Sequence, residues 1–177
     1  MKQVLVVVDM QVDFVTGSLG TKQAQDIIVD SCRFIQQFEG PIFVTMDTHT
    51  PKYLNTNEGR HLPVMHCIKN TVGWQLEKHI QKALEDKNYT IIEKGQFGSF
   101  DLVHQVVKER PDKISIIGIC TDICVLNNAL LLKTALPEIE IEVYADLTSA
   151  TSVKMKDMSL ELMHLNQIEI RLSLIHI

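Results

Sequence analysis

The sequence predicts a single-domain α/β fold, a doubly wound, mostly parallel six-stranded sheet with helices on both faces. Three observations predict it. Apolar, β-branched runs of strand length recur along the chain, and segments with apolar residues at three- and four-residue spacing lie between them. The intervening stretches are long enough for the crossovers that parallel neighbours require. The 177 residues match one domain on the usual scale of about 100 to 200 residues each.

The strand-length runs are Val4–Val8, Ile42–Thr45, Thr90–Ile92, Ile114–Ile117, Ile139–Val143 and, more weakly, Ile168–Ile170. They are continuous apolar stretches with little alternation, the pattern of strands covered on both faces. Helical periodicity is predicted over Ala24–Phe38, Trp74–Leu84, Leu102–Lys108, Ile123–Thr134 and Lys154–Leu165. Between Asp47 and Gly73 the pattern breaks into a long polar, His-rich segment with Pro51, Gly59 and Pro63. Long loops in compact domains are commonly functional. The domain is read as residues 1–171, with Leu172–Ile177 as a non-native tail that carries no function.

Composition narrows the function. The chain is 45% hydrophobic and 22% charged, which is the balance of a folded protein. Its net charge of -5 is spread without basic runs, so neither nucleic acid nor an anionic membrane is recruited electrostatically and a small molecule is the expected partner. No stretch is long and apolar enough to span a bilayer, and the N-terminus lacks a signal-peptide core, so the expected location is the cytoplasm. In that setting Cys32, Cys67, Cys120 and Cys124 are expected as thiols and not as disulfides.

Ligands of doubly wound sheets bind beyond the carboxyl ends of the strands, so polar residues there are the candidates. Asp9 ends the first run in Val7-Val8-Asp9-Met10-Gln11-Val12-Asp13-Phe14; the plain alternative is a turn cap, a role that suits Asp13 better. Gly118-Ile119-Cys120-Thr121-Asp122-Ile123-Cys124-Val125 leaves a strand and opens a helix, placing Cys124 where the helix dipole favours a thiolate. Free N–H groups of that first turn can receive an oxyanion. An isolated cysteine is more often a small core residue, and Cys120 fits that description. Lys94 ends the third run, where a cation would lie beside Asp9 and Cys124, although a lone lysine is most often on the surface. Asp47, His49, Glu58 and His66 offer two carboxylates and two imidazoles, a set suited to zinc, iron or manganese, with His61 as a competing ligand.

Together these residues resemble the isochorismatase-like cysteine hydrolases, of the nicotinamidase (pyrazinamidase) type. The marks are V-D-x-Q-x-D-F around Asp9, a lysine after the third strand at Lys94, and G-x-x-T-D-x-C-V around Cys124, in that order, and the similarity runs to about Ile170. The resemblance implies Asp9 as general base, Lys94 as the charge that orients the site, Cys124 as nucleophile, backbone N–H groups of Cys120 and Cys124 as oxyanion hole, and a cis peptide before Cys120. It implies a divalent metal ion (zinc, iron or manganese) on Asp47, His49, Glu58 and His66, with Phe14, Phe97 and Leu54 as apolar walls for a flat ring. The interval from Glu58 to His66 is a residue longer than the family pattern, which leaves His61 open as a substitute. The activity it implies is hydrolysis of nicotinamide to nicotinate and ammonia through a thioester; a homo-oligomer is left open. The alternatives are a related hydrolase of another small amide or ureido compound, and a non-catalytic nucleotide or flavin module. The last conflicts with Asp9-Met10-Gln11 standing where a Gly-rich phosphate loop would be.

Overall fold

A computed structural model describes residues 1–174. Six strands, β1 (Gln3–Val8), β2 (Ile42–Asp47), β3 (Tyr89–Lys94), β4 (Lys113–Ile119), β5 (Glu140–Ser149) and β6 (Glu169–Arg171), form one sheet in the order β3-β2-β1-β4-β5-β6. Every neighbouring pair is parallel. The helices are α1 (Val12–Val15), α2 (Lys22–Asp26), α3 (Ile28–Gln37), α4 (Asn57–His61), α5 (Lys78–Leu84), α6 (Phe100–Glu109), α7 (Leu126–Ala135) and α8 (Val153–Leu165). The strand order reverses between β1 and β4, which is where such sheets open a crevice at their carboxyl ends.

Strand side chains alternate between faces, and here both faces are buried, so β1 needs apolar residues at every position. Leu5 and Val7 pack with Ile42, Val44, Ile35 of α3 and Ile80 and Leu84 of α5. Val4, Val6 and Val8 pack on the other side with Leu102 of α6, Leu132 of α7 and Met163 of α8. At Gly118 (φ +127°) a Cβ would lie 2.1 Å from the Val8 carbonyl oxygen, so only glycine lets β4 come this close to the end of β1. Among the described residues no helix is long and apolar enough to cross a membrane.

Several expected elements change at their ends. The helix expected over Ala24–Phe38 is two helices, α2 and α3, joined at Ile27. The helix expected over Trp74–Leu84 begins only at Lys78, because the Glu77 carboxylate caps it by accepting the His79 and Ile80 N–H groups. Before that cap, Leu76 pairs with Gln11 in a lone antiparallel bridge. β5 runs on to Ser149, past the expected end at Val143, after its register with β4 shifts. The polar segment after Asp47 is ordered by a 3₁₀ turn (Tyr53–Asn55) and by α4, with fully buried Tyr53 donating its hydroxyl to the Leu62 carbonyl at 2.9 Å. Of the expected tail Leu172–Ile177, residues 175–177 lie outside the described residues, while the Ser173 N–H donates to Asp146 Oδ1 at 3.0 Å.

Candidate active site

The register of the sheet builds the site. Val8 lies opposite Thr45, and Asp47 opposite Lys94, so the residue that follows β1 meets the last residues of β2 and β3. Asp9 leaves β1 in the left-handed region (φ 49°), accepts the Thr45 hydroxyl on Oδ1 at 2.6 Å and is wholly buried. Lys94 Nζ lies 2.6 Å from Asp9 Oδ2, 3.4 Å from Cys124 Sγ and 3.6 Å from Asp47 Oδ1. Three residues distant in sequence thus form one contact chain of carboxylate, ammonium and thiol.

Burial sets the proton affinities in this chain. It pushes the Asp9 carboxyl above its ordinary range, against the pull of the Lys94 ammonium. Burial alone would lower the Lys94 value, yet Asp9, Cys124 and Asp47 around it hold the ammonium firmly protonated. Burial drives the Cys124 thiol well above its usual value, and the Asp9 charge adds to this. Both effects oppose the thiolate that a helix start favours. The physical reason is position: Cys124 is the fourth residue of a single π-type turn (Thr121–Val125) ahead of α7, buried beside a carboxylate. The peptide between Ile119 and Cys120 is cis, as the resemblance implies.

A cavity of about 240 Å³ opens on this chain, lined among others by Phe14, Leu62, His66, Phe97, Cys120 and Cys124. Phe14 and Phe97 stand where ring walls were expected. Leu54 does not line it; it is 46% exposed on the 3₁₀ turn, and Leu62, one helical segment later, takes that place. Cys120 also faces the cavity and is only partly buried, which departs from a plain core role; its thiol is pushed up to about 12 by burial and by Asp122.

Four ligand-type atoms converge beside the cavity, which Asp47, Glu58 and His66 help to line. Asp47 Oδ2 lies 2.8 Å from His49 Nε2 and 3.4 Å from His66 Nε2, and Glu58 Oε1 lies 3.7 Å from each imidazole nitrogen. All four atoms fall within 4.8 Å of one another. Ligands at about 2.0 to 2.2 Å from a zinc ion stand about 3.4 Å apart in a tetrahedron, close to these separations. The donors fit a cation for a second reason: His49 Nε2 is buried and, although 2.8 Å from Asp47 Oδ2, has no hydrogen bond of good geometry, so ligand-type atoms face one another in a closed space that a cation would bridge. Against the opposing effect of burial, His49 and His66 hold the Asp47 carboxyl well below the usual range. Burial and the Asp47 charge raise Glu58. His61 stays outside the cluster, exposed at the end of α4 with Nδ1 on the Asn57 carbonyl at 2.9 Å.

Some supporting residues had no role in the sequence reading. Gln11 binds the Asp47 backbone in both directions, Asp47 N–H to Oε1 at 2.7 Å and Nε2 to the Asp47 carbonyl at 2.8 Å, and so fixes the first ligand of the cluster. Thr45 was visible only as a polar residue inside an otherwise buried strand, and Asn128 as an amide in a helix otherwise rich in leucine. Asp13, judged the structural carboxylate, accepts the Cys67 N–H at 2.7 Å and touches neither Cys124 nor the ligand cluster.

Comparison with known proteins agrees with this geometry. The isochorismatase domain model matches residues 3–172. The nicotinamidase of Saccharomyces cerevisiae is 26% identical over 171 residues, covering 71% of this chain and 79% of the yeast protein. The crystal structure of the pyrazinamidase/nicotinamidase of Streptococcus mutans superposes with a TM-score of 0.84 at 27% identity, covering 96% of this chain and 99% of that one. The pyrazinamidase of Pyrococcus horikoshii in complex with zinc gives 0.84 at 25% identity, with 97% and 99% covered. With the fold, the Asp9–Lys94–Cys124 contacts and the matched domain in agreement, the chain belongs to the isochorismatase family.

Proposed function

We propose that this protein is a metal-assisted cysteine amidase that hydrolyses nicotinamide to nicotinate and ammonia. The observation that carries the reading is the buried contact chain of Asp9, Lys94 and Cys124 beside a cavity of about 240 Å³ that Cys124 lines together with Asp47, Glu58 and His66 of the four-residue ligand cluster. The zinc named with the Pyrococcus horikoshii pyrazinamidase and the activities named for the yeast and streptococcal relatives support it. A zinc, iron or manganese ion in the cluster would supply a Lewis acid for the ring nitrogen of the substrate.

Phe14 and Phe97 sandwich the ring and bring its carboxamide to Cys124, an orientation effect that contributes several kcal/mol at about 3 to 3.5 Å approach. Asp9 removes the thiol proton as Sγ attacks the carboxamide carbon. A neutral resting thiol makes this base necessary, and the raised proton affinity of buried Asp9 suits it to the task. The Cys120 and Cys124 N–H groups receive the oxyanion. Asp9 passes its proton to the amide nitrogen, the carbon–nitrogen bond breaks, and ammonia leaves a thioester on Sγ. Water then attacks the thioester with Asp9 again taking the proton, the carbon–sulfur bond breaks, Asp9 returns that proton to Cys124 Sγ, and the acid departs as nicotinate after losing its own proton to solvent. Lys94 remains protonated throughout and balances the Asp9 carboxylate whenever Asp9 has given its proton up.

The test is ammonia release by zinc-, iron- and manganese-loaded protein on nicotinamide, beside a panel of small aliphatic amides and ureido compounds. Stoichiometric nicotinate and ammonia are expected. Turnover of a ureido compound with none on nicotinamide would move the chain to another branch of the family.

A further inference from the structure

Asn128 sits on α7 one turn beyond Cys124 and is wholly buried in a leucine-rich helix. Its amide is fully engaged: Oδ1 accepts the Ser99 N–H at 3.0 Å, and Nδ2 donates to the Phe97 carbonyl at 3.1 Å and to the Cys124 carbonyl at 2.8 Å. A buried amide is costly unless satisfied, and an apolar residue would serve packing alone. These bonds join the turn that carries the nucleophile to the loop between β3 and α6, whose Phe97 lines the cavity. A second observation marks the same junction. A Cβ on Gly98 would lie 2.5 Å from Leu131 Cδ1, so the loop rests directly on α7 beside Asn128.

We infer that Asn128 is a positioning residue, which clamps the Phe97 loop to the nucleophile turn and thereby sets the gap between ring wall and Sγ. The assignment rests on the proposed amidase reading for its substrate, but not for its geometry. Asn128→Ser separates the two halves of the clamp. A helical serine returns its hydroxyl to the carbonyl four residues back, here that of Cys124, while both bonds to the loop are lost. Ser99→Ala is the control: it removes the hydroxyl that caps α6 at the Leu102 N–H (3.1 Å) and leaves the backbone bond to Asn128 in place.

With metal-loaded protein, Asn128→Ser is expected to raise KM for nicotinamide about tenfold, the worth of one to two lost hydrogen bonds, with a smaller fall in kcat. It should also weaken protection of Cys124 by nicotinate against iodoacetamide at fixed pH. Ser99→Ala should lower the melting temperature without moving KM or protection. Wild-type KM and protection in Asn128→Ser would overturn the assignment, as would a Ser99→Ala enzyme that loses both to the same degree. If Asn128→Ser does not fold, hydrogen exchange of the wild-type protein decides: the Ser99 N–H that donates to Asn128 Oδ1 must be strongly protected, and fast exchange there also overturns it. Failure of wild-type protein to hydrolyse nicotinamide would sink the proposed reaction, while alkylation without nicotinate, which still reads the loop's cover over Cys124, must be faster in Asn128→Ser for the clamp to stand.

Discussion

Thr45→Val exchanges a hydroxyl for a methyl of similar size at a wholly buried position. It removes the 2.6 Å bond that Thr45 donates to Asp9 Oδ1. A hydrogen bond to a charged group contributes about 1.5 to 3 kcal/mol, and about 1.36 kcal/mol corresponds to one pH unit of proton affinity. Burial already holds the Asp9 carboxyl above its ordinary range, and the Thr45 hydroxyl is among the groups pulling it down. Losing that bond favours the protonated carboxyl. Because Asp9 acts as a base only when ionised, the acid limb of kcat/KM should move to higher pH by about one to two pH units, with the plateau above it largely kept. The stability sign follows from linkage. A carboxyl whose folded affinity is raised costs stability as pH climbs from its unfolded pKa of about 3.9 through the folded value. The variant should therefore melt close to wild type in acid and fall behind as pH rises through that window. The assay is ammonia release across pH with melting curves at each pH. An acid limb that stays in place, in a variant that folds normally, would refute Asp9 as the base whose ionisation limits the rate.

Further outcomes follow from the same geometry. Cys124→Ala should abolish turnover while Cys32→Ala and Cys67→Ala keep it, since neither of those thiols lines the cavity; a Cys124→Ala enzyme that keeps about one tenth of the wild-type rate removes Cys124 as nucleophile. Asp9→Asn should be nearly as damaging, and added metal should not rescue it, because an amide cannot accept the thiol proton. Chelation, His49→Ala and His66→Ala should each remove nicotinamide hydrolysis, and benzamide, with no ring nitrogen, should be a far poorer substrate; equal rates on both amides by metal-free protein would contradict a substrate-anchoring site. Glu58→Ala should weaken metal retention, read by elemental analysis after dialysis, more than it changes kcat, since Glu58 Oε1 stands farther from the imidazoles than Asp47 does.

The fold class was legible because it depends on a local signal: Val4–Val8 is apolar throughout, and only a strand covered on both faces asks for that. Segment ends were less legible. Trp74 and Leu76 fit a helical spacing with Ile80 and Leu84, yet the Glu77 cap and the bridge from Leu76 to Gln11 start the helix later. The principal site residues could be read because each ends a strand or falls in a dense motif. Their supporting partners could not, because the Thr45–Asp9 bond and the Asn128 clamp span 36 and 29 to 31 residues and exist only once the sheet is registered. The proton affinity of Cys124 has a similar origin. A helix start favours a thiolate, but burial next to Asp9 outweighs that, and burial is a property of the assembled fold. Leu54 and Leu62 are alike in sequence, and only the packing of the 3₁₀ turn and α4 decides which of them reaches the cavity.

The most direct check of the proposed chemistry is to quench metal-loaded enzyme with acid during turnover of nicotinamide and map the acylated peptide by mass spectrometry. A nicotinoyl thioester on Cys124, absent from Cys124→Ala and accumulating when water attack is slowed, is the expected result. Steady turnover with no acyl group on Cys124 at any quench time, or with the acyl group on Cys120, would contradict the assignment of the nucleophile.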